Sequence, residues 1–199
     1  MTLSEEKKAA RLAAIARRDQ AHAALADIAP DRVAAHFAAT FRLDPGAVVS
    51  AYWPGRTELD IRPLAERLHR SGHPIGLPVV LGRGRPLVFR LWRPGDVLEP
   101  KPFGLQEPYA TAPEVTPQVL LVPFLSFDRS GYRIGYGAGY YDRTLATLRA
   151  RRKVLAIGVG YAAQGTDRLP HDAHDQPLDW VVTEEGPLAF DGAKMSGAE

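Results

Sequence analysis

The chain has 199 residues, 45% of them hydrophobic and 24% charged, which bounds it to one well-cored globular domain with room for small insertions. A formal charge of +2 is too small to imply a nucleic-acid partner, and no run approaches the ~18 apolar residues of a membrane span. Without cysteine there are no disulfides, no thiolate chemistry and no cysteine-ligated zinc or iron–sulfur site. The N-terminus is charged and alanine-rich and lacks a signal-like apolar stretch, so the expected location is cytoplasmic.

Taken in chain order, Ser4, Glu5 and Glu6 read as an N-cap with first-turn acids, opening a helix to about Leu25. Its apolar stripe of Leu12, Ile15 and Leu25 is thin. A second helix is expected over 31–41, a strand over 47–53, a helix over 59–70 and a strand over 75–81. The run 86–92 reads as a hairpin partner of that strand. Residues 93–118 are proline-rich with few periodic apolar positions, and so long a segment without structure is expected to be functional. Buried strands are predicted at 119–123, 153–160 and 180–183, a helix at 144–150, and a disordered tail over 190–199. Strands alternating with helices predict a single α/β domain over 1–189, with a mostly parallel sheet flanked by helices and an added antiparallel hairpin.

Between the strand at 119–123 and the helix at 144–150 lie Gly135, Gly137 and Gly139, followed by Tyr140, Tyr141, Asp142 and Arg143. A glycine-rich turn entering a helix exposes backbone N–H groups where the helix dipole favours anions. An acid and two arginines beside it suit a metal-bound polyphosphate. The run is not a Rossmann fingerprint, because Tyr140 stands where the third glycine is needed, and no Gly-Lys-Ser/Thr of a Walker A loop follows. Sheets of this class gather ligands at the C-terminal ends of strands, which places 53–58, the glycine run and 160–164 along one edge.

The run from Leu121 through Pro123, Phe127, Asp128, Gly131, Arg133 and the three glycines to Arg143 closely resembles the 5-formyltetrahydrofolate cyclo-ligase (5,10-methenyltetrahydrofolate synthetase) family. Other segments agree in order and spacing: Lys7 to Arg11, Tyr52 to Pro54 with Glu58 to Asp60, and Phe103 to Pro108. Gly158 to Tyr161, Gln164, Leu169 with Pro170, His174 with Asp175, and Pro177 to Asp179 continue the match. The resemblance covers about residues 5 to 185. It implies an ATP- and Mg²⁺-dependent enzyme that cyclises 5-formyltetrahydrofolate to 5,10-methenyltetrahydrofolate, releasing ADP and phosphate, with small-molecule partners only and a monomeric state.

On that resemblance Lys7 and Arg11, four apart and on one helix face, contact ATP. The backbone of Gly135, Tyr136, Gly137, Ala138, Gly139, Tyr140 and Tyr141 holds its phosphates, with Arg133 and Arg143 as the catalytic cations. Asp142 and Asp179 match the magnesium-associated acids. Glu58 matches the acid of the folate pocket, with Trp53 and Tyr141 as the stacking aromatics. Read without the family, the basic residues of the first helix, Arg17 and Arg18 included, fit a solvated surface. Asp142 and Glu58 also fit first-turn helix acids, and Asp179 fits a loop acid before a strand. His171 and His174 lack a clearly spaced third zinc ligand. The chain departs from the family at Ala138, where many members carry Lys, and at Ile61, where Thr is often found. Those departures leave open a paralogue acting on another N-formyl or heterocyclic substrate. A module binding RNA or a partner through the first helix is the reading from a different class.

Overall fold

The structure is a computed structural model that describes residues 2–190. Helix α1 (Leu3–Leu25) is capped by Thr2, not Ser4: the Thr2 hydroxyl accepts from the Glu5 N–H while the Glu5 carboxylate accepts from the Thr2 N–H. Helix α2 (Ala29–Thr40) starts with Pro30 in its first turn, where a missing N–H costs nothing. Strand β1 is only Val49–Ser50, because the residues that follow leave the sheet to build a loop. Helix α3 (Arg62–Arg70), strand β2 (Ile75–Val79) and strand β3 (Val88–Trp92) follow, the two strands forming the expected antiparallel hairpin.

The proline-rich segment 93–118 is not structureless. It holds β4 (Glu99–Pro100) and β5 (Gln106–Glu107), paired with each other, and the edge strand β6 (Glu114–Val115), paired with β3. Then come β7 (Val119–Val122), β8 (Ser126–Asp128), β9 (Arg133–Ile134), α4 (Tyr140–Arg149), β10 (Leu155–Val159), β11 (Gly165–Thr166), β12 (Trp180–Thr183) and β13 (Gly186–Ala189). Helix α4 begins four residues before the expected position, with Gly139 at φ +65° as its N-cap. Of the tail expected to be disordered, Phe190 is buried against Gly131, and 191–199 lie outside the described residues.

The eight-stranded sheet has the order β13-β12-β10-β7-β1-β2-β3-β6. The strands β2, β1, β7, β10 and β12 are parallel, and the antiparallel pairings lie at the two edges. After β1 the strands β2 and β3 are added on one side and β7, β10 and β12 on the other. The strand order thus switches between β1 and β7, the place where an open parallel sheet binds ligands at its carboxyl edge. Both faces are covered, so the central strands are continuously apolar. Val119 and Leu121 pack with α2 and α3 on one face, and Leu120 and Val122 pack with Leu145 of α4 on the other.

Two features of the β-rich part set up the loop ahead of α4. Asp128 is buried and its Oδ1 accepts from the N–H groups of Ser130 and Tyr132 while Oδ2 accepts from that of Leu169. One carboxylate thus closes the β8–β9 turn and ties it to the segment after β11. At Gly158 a Cβ would lie 2.6 Å from Leu178, 2.8 Å from Phe124 and 2.9 Å from Val181, so β10 requires glycine there for packing. Gly158→Ala is expected to destabilise the fold by about 1–3 kcal/mol through overpacking, read as a fall in Tm of several degrees. An unchanged Tm would show that this contact is soft.

Candidate active site

Strand β9 delivers the chain into the glycine run, and α4 takes it away. The N-terminus of α4 has no side-chain cap, so its first N–H groups face the loop without a protein acceptor from the cap residue. Arg11 donates from Nε to the Gly135 carbonyl at 3.0 Å, and a Cβ at Gly137 would meet its guanidinium at 3.2 Å. A Cβ at Gly139 would lie 2.9 Å from Arg143 Nη1. Gly137 and Gly139 also have positive φ, +99° and +65°. Here glycine is required by conformation and by the cations pressed against the loop.

The two arginines singled out beside the run sit differently. Arg133 is almost wholly buried, with Nη2 2.9 Å from Asp142 Oδ1 and Nη1 donating to the Gln176 carbonyl. Burial pulls its pKa down and the Asp142 carboxylate opposes that shift. Its protein partners make it a strut joining β9, α4 and the 176 segment, not a free cation in the loop mouth. Arg143 lies along the outside: Nη2 donates to the Ala138 carbonyl and its guanidinium is 5.6 Å from the Tyr140 ring centroid.

Helix α1 lays a basic stripe against this loop. Lys7, Arg11, Ala14, Arg18 and His22 recur at helical spacing, and Ala14 and Arg18 are buried. Lys7 Nζ is 2.9 Å from Asp172 Oδ2 and 2.6 Å from Asp175 Oδ2. Burial pulls the Lys7 ammonium down, but the two carboxylates outweigh it and hold its pKa above the ordinary value. His22 Nδ1 is 3.1 Å from the Tyr161 hydroxyl. Sequence reasoning placed Arg18 on a solvated surface, and the structure overturns that. The 7-11-14-18 spacing was the signal for a buried polar face.

Opposite the loop, the segment after β1 forms the second half of the site. Glu58 is largely buried, and its Oε2 accepts from the Gly55 N–H at 2.9 Å. Burial raises its pKa, against the pull of that hydrogen bond and of Arg18 and Arg56. The Tyr141 hydroxyl is buried without a hydrogen-bond partner, and burial together with the Glu58 charge pushes its pKa up, so it stays a neutral O–H donor. Tyr141 thus combines a backbone in the first turn of α4, next to the glycine loop, with a buried and unpartnered hydroxyl.

Trp53 is half-buried, edge-on to Trp92 at 6.4 Å, and carries the Arg62 guanidinium 5.3 Å from its ring. Trp92 itself belongs to the core. Ile61, at the N-cap of α3, is 1% exposed and also a core residue. Leu105 reaches over Gly55, and Phe103 is exposed beside it. Among the described residues the non-glycine positions with positive φ are Arg56 and Phe103, and the Arg56 guanidinium sits 5.0 Å from the Phe103 ring. Backbone strain of this kind gathers where a structure holds ligands.

Asp142 and Asp179 are not brought together by any common partner among the described residues. Asp142 Oδ1 accepts from Arg133 and from the Gln176 N–H at 3.1 Å. Asp179 Oδ2 accepts from Arg149 at 3.2 Å and from the Ala156 N–H at 2.7 Å, tying the far end of α4 to the start of β10. Among the described residues no group of three His, Asp or Glu could hold a metal ion by itself. His171 stacks on Tyr132 at 3.6 Å, and its loop is occupied in holding Lys7. No helix of the described residues is long and apolar enough to cross a membrane.

Residues 3–184 match the 5-formyltetrahydrofolate cyclo-ligase family. The chain is 36% identical over 132 residues to 5-formyltetrahydrofolate cyclo-ligase of Escherichia coli strain K12, covering 63% of this chain and 71% of that one. It is 36% identical over 146 residues to the enzyme of the same name from Mycolicibacterium smegmatis, covering 69% and 74%. The NMR structure of Aquifex aeolicus 5,10-methenyltetrahydrofolate synthetase superposes with a TM-score of 0.76 at 28% identity, over 100% of this chain and 98% of that one. A Mycoplasma pneumoniae protein of that name shares the fold, with a TM-score of 0.69 at 22% identity over 90% and 99%. The glycine loop and Glu58, which flank Arg18, thus both fall inside a match over nearly the whole chain, and the chain belongs to the 5-formyltetrahydrofolate cyclo-ligase family.

Proposed function

We propose that this chain closes 5-formyltetrahydrofolate to 5,10-methenyltetrahydrofolate with ATP, releasing ADP and phosphate, and that the crevice between the glycine loop and Glu58 is where the two substrates meet. The observation that carries the reading is Tyr141. This residue of the first turn of α4, directly after the glycine loop, carries a buried hydroxyl with no hydrogen-bond partner.

The chemical problem is a poor leaving group. N10 of the folate can add to the formyl carbon, but closing the ring then requires loss of the formyl oxygen. Transfer of the γ-phosphoryl group to that oxygen makes phosphate the group that leaves. The protein's part is alignment and charge neutralisation. Backbone N–H groups of 135–141, with Lys7, Arg11 and Arg143, hold the phosphates. Arg133 keeps β9 and α4 in register beneath them. Glu58 accepts from N–H groups of the reduced pterin, and Trp53 and Tyr141 supply aromatic faces.

A hard divalent cation fits this wall, because magnesium takes one or two carboxylates and leaves its other positions to phosphates and water. Asp142, with a partly exposed carboxylate in the first turn of α4, is the acid that would hold it. Asp179 is committed through Oδ2 to Arg149 and Ala156, so its proposed role is to support the wall. When bound, Mg²⁺ would offset charge on the polyphosphate.

Lys7 exchanges Asp172 and Asp175 for phosphate oxygens in this scheme. Lys7→Ala is expected to raise KM for ATP about tenfold or more, the value of a lost hydrogen bond between charged groups. Its effect on Tm should be small, because pairs near the surface contribute about 0–1 kcal/mol. A wild-type KM for ATP would remove Lys7 from the nucleotide site.

The reaction is tested by incubating the purified chain with ATP, Mg²⁺ and 5-formyltetrahydrofolate and following the near-ultraviolet absorbance of the methenyl product. Growth that needs both ATP and Mg²⁺ is expected. No product while ATP still binds would move the search to another N-formyl acceptor.

A further inference from the structure

Arg18 has an environment that the scheme above leaves unexplained. It is 1% exposed, in the middle of α1. Its Nε donates to Thr57 Oγ1 at 3.1 Å, and the Thr57 hydroxyl donates in turn to Asp19. Nη1 is buried and has no hydrogen-bond partner. The nearby acid, Glu58, has Oε1 3.9 Å away, beyond hydrogen-bonding reach. On the other side the guanidinium carbon is 5.6 Å from the centre of the Tyr136 ring, in the glycine loop. Arg18 therefore stands between the two walls of the crevice, anchored by one nitrogen and with another unspent.

A guanidinium N–H buried without a protein acceptor is costly, and in a native structure the acceptor comes from a water, an ion or a bound ligand. The ligand must be anionic or strongly polar, because arginine stays charged in any protein environment. Two substrates meet at this point, and the group that passes between them carries negative charge on three oxygens. Arg17 also has an unpartnered buried Nε, but its Nη2 donates to the Ser126 hydroxyl on β8 at 3.2 Å. Tyr136, flanked by two glycines and half exposed, is the side chain whose ring covers Arg18 and must swing aside.

We propose that Arg18 is a catalytic residue of the phosphoryl-transfer step, donating from Nη1 to a non-bridging oxygen of the γ-phosphoryl group as it moves to the folate formyl oxygen. The proposal rests on the cyclo-ligase reading. In that step a bond forms between the formyl oxygen and the γ-phosphorus, the bond to the β,γ-bridging oxygen breaks, and ADP leaves with the electron pair. N10 then adds to the formyl carbon, the carbon–oxygen bond to phosphate breaks, and the N10 proton passes to solvent. Arg18 remains on the phosphoryl oxygens through both events. Glu58, within 4 Å of the guanidinium, balances its charge when no substrate is present.

The test compares the full chain with Arg18→Lys, Arg18→Gln and Arg18→Gly, recording Tm, kcat and both KM values. Arg18→Gln is expected to lose about 10²–10³-fold in kcat, as removal of a charge-stabilising donor does, with the KM values for ATP and folate essentially unchanged. Added guanidinium at millimolar concentration should restore part of the kcat of Arg18→Gly, a rescue that a purely structural role would not give. If the Gln variant does not fold, Arg18→Lys decides, since it keeps the charge and the stem but not the forked reach. Wild-type kcat in Arg18→Lys or Arg18→Gln overturns the proposal. Retained kcat with both KM values raised and Tm lowered overturns it too, because that is the signature of a strut. An active wild type with active variants sinks this inference alone, whereas a wild type that forms no methenyl product removes the cyclo-ligase reading and this inference with it.

Discussion

Asp142→Asn should lower kcat by about 10²-fold or more and raise the Mg²⁺ concentration needed for half-maximal rate, while the protein stays folded. The side chain has two duties that the substitution separates. As an acceptor, Asn Oδ1 can still receive the Arg133 Nη2 and the Gln176 N–H that Asp142 Oδ1 receives now. As a negative charge it is lost, both to a bound cation and to Arg133, whose side chain is 4% exposed. Removing the charge opposite a buried arginine lowers stability, but less than deleting the side chain, since the hydrogen bonds survive. Asp179→Asn is the comparison. It should leave the Mg²⁺ dependence unchanged and lower Tm, because Asp179 joins Arg149 to the start of β10. Mg²⁺ titrations of both variants decide the matter. Equal shifts would restore the two-acid site that the family resemblance implies, and a wild-type rate in Asp142→Asn would remove the metal role.

Glu58→Gln should reduce kcat/KM for the folate by about 10–100-fold while leaving KM for ATP near wild type, the loss of one charged hydrogen-bond acceptor in a buried site. Stability should move in the opposite sense. Burial raises the Glu58 pKa above its ordinary 4.5, so the folded state holds its proton longer than the unfolded chain does. Stability is therefore lost as pH rises from about that ordinary value through the raised one, and the loss is complete above it. Gln carries no ionisation, so the Tm of Glu58→Gln minus that of wild type should grow between acid and neutral pH. Thermal melts across that range, paired with folate and ATP kinetics, measure both effects. An unchanged folate kcat/KM would take Glu58 out of the pocket. A Tm difference flat in pH would mean that Arg18 and the Gly55 N–H already offset the burial.

Particular elements show why some of this was legible in the chain and some was not. Val119 to Val122 are apolar in succession because both sheet faces are buried, and a run of that kind reads directly as a central strand. Strand β1 kept only two of its seven expected residues, because Ala51, Tyr52 and Trp53 are apolar for the loop they build and not for the sheet. The start of α4 at Tyr140 was hidden by the glycines, since a left-handed Gly139 can cap a helix as well as break one. Small pairs such as β4 with β5 and β8 with β9 have too few residues for periodicity, and side chains such as Asp128 fix them by long-range hydrogen bonds.

By itself the sequence determined the class of fold, the place of the glycine loop between strand and helix, and the family, because these rest on local spacing and on ordered motifs. Tertiary structure decided which charged side chains are buried and which groups they are bonded to. Arg133 and Asp179, read as active groups, are buried or spent in bonds to β9, α4 and β10, while Arg18, read as solvated, lies inside between Glu58 and Tyr136. The physical reason is that a charged side chain looks alike in sequence whether water or protein surrounds it. Burial and partners assign its role, and those are set by contacts between residues far apart in the chain.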